Sequence, residues 1–319
     1  MTDVFEVARG RWVGLLGQWL TERTARGKHG PCPTCGGKDR FRLHDKHGRG
    51  DSWCNHCGPR SGPDLVMDLM GLDFAEACQW VEGQVGRVRK VTEPMQKKST
   101  EDLKADLRRV WGGGVAVTEG DPVWLYLKHR CGIKTVPAGI RHHPELDYWH
   151  EDGSKTTHPA MLASVMDSTG RCLSVHRTYL TSTGEKAAAK TARKLMPPSD
   201  RLHNVAIRLA APVDGWLAVA EGVETALAYS TLWGVPCWST VSAGLLESFN
   251  PPDGVTLLTI AGDNDRSYTG QASAYKLAKR LVQERPEIEV RVHLPIGEGS
   301  DFADDFYAKC DCAPNSLSA

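Results

Sequence analysis

Four of the ten cysteines form two Cys-x-x-Cys pairs, Cys32-Pro-Thr-Cys35 and Cys54-Asn-His-Cys57, with eighteen residues between them. No other feature restricts the local fold as tightly. Each pair makes a knuckle, and two knuckles at this spacing close one tetrahedral site. Thiolates suit Zn²⁺, and its binding contributes on the order of 10 kcal/mol to a segment too small to bury a core of its own. Gly36, Gly37 and Gly58 follow the knuckles, where backbone amides turn toward sulfur. Spacing alone leaves open a ligand set in which His29, His44, His47 or His56 replaces one cysteine. The ribbon's strands carry Lys38, Arg40, Phe41, Arg42 and Trp53. Rings that stack on bases beside cations that meet phosphates are the means of holding single-stranded nucleic acid. The lone cysteines Cys78, Cys131, Cys172 and Cys237 read as core residues of a chain in a reducing compartment.

At 319 residues the chain has room for two or three compact units. Residues 1–90 hold the cysteine pairs between helical patterns. Trp12, Leu15, Leu16 and Trp19 predict one opening amphipathic helix, and Leu65, Val66, Leu69 and Met70, then Phe74, Ala77 and Val81, predict helix after the ribbon. A polar stretch with Pro94 marks a linker over 91–100. Residues 101–213 form a mixed α+β unit rich in cations, with strand, turn and strand over Met161–Met166, Asp167–Gly170 and Cys172–His176. In 214–310 four short apolar strands alternate with helices, which predicts a parallel sheet covered on both faces. Residues 311–319 read as a disordered tail. The fold class expected is therefore α/β in several domains.

The parallel-sheet unit carries the acids. Glu221 follows its first strand, Asp263 and Asp265 follow the strand ending at Ile260, and Asp301, Asp304 and Asp305 follow the last. These are the carboxyl ends of the strands, where open parallel sheets bind ligands. Two carboxylates ~4 Å apart repel by about 4 kcal/mol at an effective dielectric of about 20. Such a group persists when protons or a divalent cation neutralise it, and hard oxygen ligands select Mg²⁺ or Mn²⁺. An Asp-x-Asp pair by itself is commonly only a loop cap; the company of Glu221 and Asp301 points to metal.

Formal net charge is zero, which argues against a protein that coats nucleic acid everywhere. Locally, Arg23 to Arg60 holds nine Lys/Arg against three Asp, and Lys186 to Arg208 six against Asp200 alone. Arg177, Lys186, Lys190 and Arg193 are the cations expected to meet nucleotide phosphates and template. No stretch approaches the ~18 apolar residues of a membrane span, and the opening residues lack a signal-peptide layout. The expected location is the cytoplasm.

Taken in order, the motifs resemble a known family. Cys32-Pro-Thr-Cys-Gly-Gly-Lys-Asp-Arg-Phe-Arg42, Trp53-Cys-Asn-His-Cys-Gly58, Asp64-Leu-Val-Met-Asp68 and Gly71-Leu-Asp-Phe-Ala-Glu-Ala77 resemble the zinc-binding domain of phage and plasmid primases, nearest the satellite-phage primase–helicase type. Pro159-Ala-Met-Leu162 and His176-Arg-Thr-Tyr-Leu180 resemble the region ahead of Toprim in mobile-element primases. Ala220-Glu-Gly-Val-Glu-Thr-Ala-Leu227 and Gly262-Asp-Asn-Asp265 are similar to the two Toprim signatures. The resemblance implies a Rossmann-like Toprim domain after the basic unit, with Glu221 as catalytic glutamate and Asp263, Asp265 and Asp301 as metal-binding acids. It implies RNA primer synthesis from ribonucleoside triphosphates on a single-stranded DNA template. Arg177 and Lys186 match basic residues tied to nucleotide and template binding in bacterial replicative primases. The family's second acid, four residues after the glutamate, is Thr225 here, with Glu224 adjacent. No Gly-x-x-x-x-Gly-Lys-Ser/Thr loop occurs, so unwinding falls to a separate replicative helicase. Two other readings stand beside this one: a Toprim nuclease or strand-passage enzyme, for which Tyr229 or Tyr268 would have to act, and a non-catalytic adaptor that binds single-stranded DNA.

Overall fold

The computed structural model describes residues 3–87, 98–150 and 153–311, and the side chains as far as 308. Most of the expected linker and nearly all of the expected tail lie outside them. The chain divides into two compact units, Met1–Lys97 and Lys98–Ala319. It is α/β, with small antiparallel sheets ahead of a parallel one.

The first unit opens with three short helices, α1 (Val4–Ala8), α2 (Trp12–Leu16) and α3 (Glu22–Ala25). The opening helix expected from the Trp12–Trp19 periodicity is shorter, α2 alone, with α1 a separate piece ahead of it. Gly10 takes a left-handed conformation (φ 73°) and interrupts the helical path, and α2 ends before Trp19. The ribbon follows as β1 (Gly30–Cys32), β2 (Gly36–Leu43), β3 (Ser52–Cys54) and β4 (Gly58–Arg60), antiparallel in that order. Helices α4 (Gly62–Met70) and α5 (Phe74–Val85) close the unit, each begun by a capping box, at Ser61/Asp64 and Asp73/Glu76. Their apolar faces bury Leu65, Val66, Ala77 and Val81 against Trp12, Leu16, Phe41 and Leu43. The Trp12 indole donates to the Gly48 carbonyl at 3.0 Å, tying α2 to the ribbon.

The second unit begins with α6 (Thr100–Gly112) and α7 (Pro122–Cys131). Asp121 caps α7 by accepting from the Val123 and Trp124 amides, and Pro122 occupies its first turn. An antiparallel sheet then runs β5 (Ile140–Trp149), β6 (Lys155–Met166), β7 (Cys172–Tyr179) and β8 (Arg193–Leu195) in sequence order. One face packs on α6 through Leu107, Val110, Leu162, Val175 and Tyr179; the other supplies Met161, Ala163 and Leu180 to the central core.

The parallel sheet is built from β9 (Trp216–Ala220), α8 (Val223–Trp233), β10 (Cys237–Ser239), α9 (Ala243–Glu247), β11 (Leu257–Ala261), α10 (Thr269–Glu284), β12 (Glu289–His293) and α11 (Phe302–Asp311). Its strand order is β10-β9-β11-β12. Alternation along β9 sends Ala218 and Ala220 to the core shared with α7, α8 and α11, and Leu217 and Val219 to the core under α9 and α10. Both faces are covered, as short unbroken apolar strands require. Ala206 bridges Met166 and Ile207 bridges Ser239, stitching the antiparallel sheet to the parallel one.

Candidate active site and nucleic-acid interface

In the ribbon, Cys32 ends β1 and Cys54 ends β3, while Cys35 and Cys57 sit one turn on. Their four sulfurs lie within 4.8 Å of one another, the one group of three or more potential metal ligands this tight among the described residues. None of the four candidate histidines joins it; the His29 Nδ1 instead faces the Asp39 carbonyl at 3.2 Å. Gly36, Gly37 and Gly58 have φ between 71° and 84°, which lets the knuckle amides turn inward. Burial raises the Cys54 thiol, but the Cys57 and His56 amides and the neighbouring sulfurs outweigh it and bring it down to about 7. Cys57, crowded by Cys35, is pushed up to about 12. A thiolate beside reluctant thiols is what an ion of charge two would resolve. The residues present fit zinc.

Alternation along β2 buries Phe41 and Leu43 and leaves Lys38, Arg40 and Arg42 on the opposite face. Arg42 stands across from Trp53, and Trp53 across from Pro59. Trp53 is 46% exposed, with its indole N–H donating to Asn55 Oδ1 at 3.0 Å. The four ribbon residues predicted from sequence therefore share one exposed face, whereas Phe41 is core.

In the second unit, β9, β11 and β12 run in register: Ala220, Ala261 and His293 lie side by side at their carboxyl ends. The chain leaves that edge into Glu221, into Gly262-Asp263-Asn264-Asp265, and into the loop that reaches Asp301. Asn264 holds the last two together. Its amide side chain donates to the Pro295 and Gly297 carbonyls, and its backbone pairs with Ser300. Sequence reading passed over Asn264 because a neutral amide between two acids carries no charge signal. Glu221 is fixed from the other side, its carbonyl accepting from Val241 N–H at 2.8 Å and from the Ser239 hydroxyl at 2.7 Å. Val241 is held at φ 73°, a strained conformation for a β-branched residue.

The four acids differ in what they are free to do. One Asp265 oxygen accepts from the Ser267 hydroxyl and amide and the Thr269 amide, and the other from the Gly270 amide at 2.8 Å. It caps the start of α10, and these donors hold its carboxyl below the ordinary range. Gly270 is required there, since a Cβ would fall 2.6 Å from the Asp263 carbonyl. Asp301 caps α11 by accepting from the Asp304 amide at 2.9 Å, and burial raises it. Burial also raises Glu221, with the Asp265 charge adding and the Ala243 amide and Arg193 opposing. Asp263 stands apart. Its Oδ1 is buried with no hydrogen-bond partner, and burial, followed by the charges of Asp301, Glu221 and Asp265, pushes its carboxyl up to about 7. The charges of Asp301, Glu221 and Asp265 thus all reach Asp263 at one sheet edge, in a group looser than that of the cysteines.

The cations separate by face. Arg193 pairs across from Thr178 and Lys194 across from Arg177, so Arg193 and Arg177 point to opposite sides of the antiparallel sheet. Arg193 lies toward the acids and approaches Glu224 Oε2 at 3.6 Å. Exposed Lys186 pairs with Leu180 beyond the end of β7, and its charge reaches Glu224. Arg177 is on the α6 side, donating to the Tyr179 hydroxyl at 3.2 Å, so it does not join the acidic edge. Lys190 is exposed. Of the two tyrosines a strand-passage reaction would need, Tyr229 is buried with its hydroxyl against His293 Nδ1 at 3.1 Å, and Tyr268 is exposed.

Comparison with known proteins divides the chain similarly. Residues 27–64 match the family described as the zinc-binding domain of primase-helicase, and residues 216–311 the Toprim domain. Residues 101–209 match a domain of unknown function (DUF7146). Solved structures to which the chain shows similarity include the zinc-binding and RNA polymerase domains of the Aquifex aeolicus primase, 14% identical over 97% of this chain and 83% of that one, with a TM-score of 0.41. Another is the primase fragment of the bacteriophage T7 primase-helicase, 13% identical over 89% and 96%, with a TM-score of 0.38. The chain thus carries a segment similar to the primase-helicase zinc-binding domain ahead of one similar to the Toprim domain. No helix among the described residues is long and apolar enough to cross a membrane.

Proposed function

We propose that this chain is a DNA primase, making short RNA primers on single-stranded DNA by metal-dependent nucleotidyl transfer. The observation that carries the reading is Asp263: a buried carboxyl with an unpartnered oxygen, facing Glu221, Asp265 and Asp301 at the carboxyl edge of a Toprim sheet. Such a group is uncompensated by protein alone and suits a hard divalent cation. Those four residues would hold Mg²⁺ or Mn²⁺, which when bound would neutralise charge on the triphosphate and acidify the attacking 3′-hydroxyl. Asp265 and Asp301 are acceptors anchored to helix starts, and Glu221 is anchored through its own backbone. In this reading Arg193 and Lys186 meet the triphosphate, and the exposed ribbon face meets the template. The reading includes a bacterial cytoplasmic setting, a separate helicase and replication of a phage, plasmid or other mobile element.

The test is incubation of the whole chain with random single-stranded templates, four ribonucleotides and Mg²⁺ or Mn²⁺. Labelled oligoribonucleotides of template-dependent sequence are expected. Template cleavage without nucleotides would instead favour a nuclease, and binding without incorporation an adaptor. The ribbon has its own test. Trp53→Ala is expected to weaken single-stranded DNA binding about tenfold, the loss typical of one base–aromatic stack. Because the ring is exposed, the melting temperature should hardly move, and fluorescence anisotropy with a labelled oligonucleotide reads the difference.

A further inference from the structure

Glu224 occupies α8 one position before Thr225, where the related Toprim signature carries its second acid. It is 3% exposed, an unusual place for a carboxylate. Its Oε1 accepts from the Tyr126 hydroxyl of α7 at 2.6 Å. Its Oε2 makes no hydrogen bond, and its nearest cation is Arg193 of β8 at 3.6 Å. On the sheet face that Arg193 shares, the Thr178 hydroxyl and His176 Nδ1 are also buried without partners. A cluster of buried polar groups therefore lies beside the apolar core of Met161, Ala163, Leu180 and Ala226. Burial works against the Glu224 charge, but Arg193, the Tyr126 hydroxyl and Lys186 outweigh it and keep the carboxyl ionised.

Arg193 is half exposed, and its charge also acts on Glu221 and Asp263. An exposed arginine between carboxylates has many rotamers of similar energy. One buried, immobile anion beneath it selects among them. Tyr126 locks that anion, since its ring is buried and its hydroxyl has the carboxylate as acceptor.

We propose that Glu224 is a positioning residue rather than a metal ligand: held by Tyr126, it aims the Arg193 guanidinium across the acidic edge to receive the triphosphate of an incoming nucleotide. This rests on the primase reading and deepens it. The anion that the related signature places at position 225 thereby stands one residue earlier in the chain with a different task, and Thr225 itself is neutral and buried.

The experiment compares wild type, Glu224→Gln, Arg193→Ala and the double variant, reading KM and kcat for primer synthesis, Kd for a fluorescent GTP in Mg²⁺, and melting temperature. Glutamine keeps the Tyr126 hydrogen bond and removes the charge. Glu224→Gln is expected to raise KM and Kd about tenfold, as when one charge-assisted contact is lost, with kcat changed far less. In the Arg193→Ala background the same change should add almost nothing, because the two residues act as one unit. An undiminished effect in that background, or a lowered melting temperature with KM and Kd unmoved, would overturn the proposal. Wild type that binds GTP but makes no primers would sink the primase reading instead, and the Kd cycle would still decide the coupling. Should Glu224→Gln fold poorly, Tyr126→Phe frees the carboxylate while keeping the packing, and the same rise in Kd is expected.

Discussion

Asp263→Asn is expected to abolish primer synthesis while making the metal-free protein more stable. The two effects share one cause. In the folded chain the carboxyl is pushed up to about 7 by burial and by the charges of Asp301, Glu221 and Asp265. An acid whose folded pKa lies above its unfolded value binds its proton more tightly when folded. Its contribution is therefore favourable at low pH and is lost as pH rises from the ordinary aspartate range to about 7. At neutral pH the metal-free protein carries this as a cost on the order of 3 kcal/mol. Asparagine keeps the shape and removes the charge, so the melting temperature in EDTA should rise on the order of 5 °C. Activity should fall roughly 10³-fold or more, the scale expected when a group that stabilises developing charge is removed. Template affinity should stay largely intact, since the ribbon face is untouched. For wild type the proton competes with the cation, so the Mg²⁺ concentration needed for half-maximal activity should increase as pH falls below about 7. Calorimetry with and without Mg²⁺, beside the primer assay, checks both effects. A variant that still makes primers would refute the metal-site assignment, and one destabilised in EDTA would show that the carboxyl is satisfied by protein after all.

Much of this arrangement is legible in the order of the residues, for a physical reason. The parallel sheet announces itself through short apolar strands separated by helical periods, and topology then puts every strand's carboxyl end on one edge. That rule sends Glu221 and Asp263 to one edge, and the loop pinned by Asn264 returns Asp301 to it. The ribbon is legible because a tetrahedral ion sets the cysteine spacing. Side-chain direction is harder to foresee. Arg177 and Arg193 look alike in sequence, yet the pairing of β7 with β8 turns them to opposite faces. Phe41 and Trp53 look alike as aromatic candidates, but alternation buries the first and exposes the second. Asp265 and Asp263 form one motif, and only the start of α10 reveals that the former spends both oxygens on backbone amides while the latter keeps one unpaired. Glu224 and Asn264 act through partners far away in the chain, Tyr126 and the loop carrying Gly297, and no local pattern records such pairs.

Removing zinc is expected to unfold the ribbon and leave the second unit standing. The strands of the ribbon other than β2 are three residues long, too short to hold a sheet by pairing alone. Cys32 and Cys54 are themselves part of the unit's core, packed with Trp12, Leu15, Phe41 and Leu65. Cys35 and Cys54 Sγ stand 3.6 Å apart, and the Cys54 thiol is inclined to ionise while that of Cys57 is strongly disinclined. The ion's contribution, on the order of 10 kcal/mol, exceeds what a unit of this size can otherwise retain. Chelation, or Cys54→Ser with Cys57→Ser, should therefore abolish the first unit's cooperative melting and expose the segment around β2 to protease. Residues from α6 onward bury their own cores and should keep a separate transition. Metal analysis should find one zinc per chain before chelation, and acidification should release it, because thiolates must reprotonate as the ion leaves. DNA binding through Lys38, Arg40, Arg42 and Trp53 should disappear with the ribbon, since those four side chains share a face only while β2 and β3 are paired. A ribbon that resists protease after complete zinc loss would mean that its helices, rather than the ion, hold the sheet together.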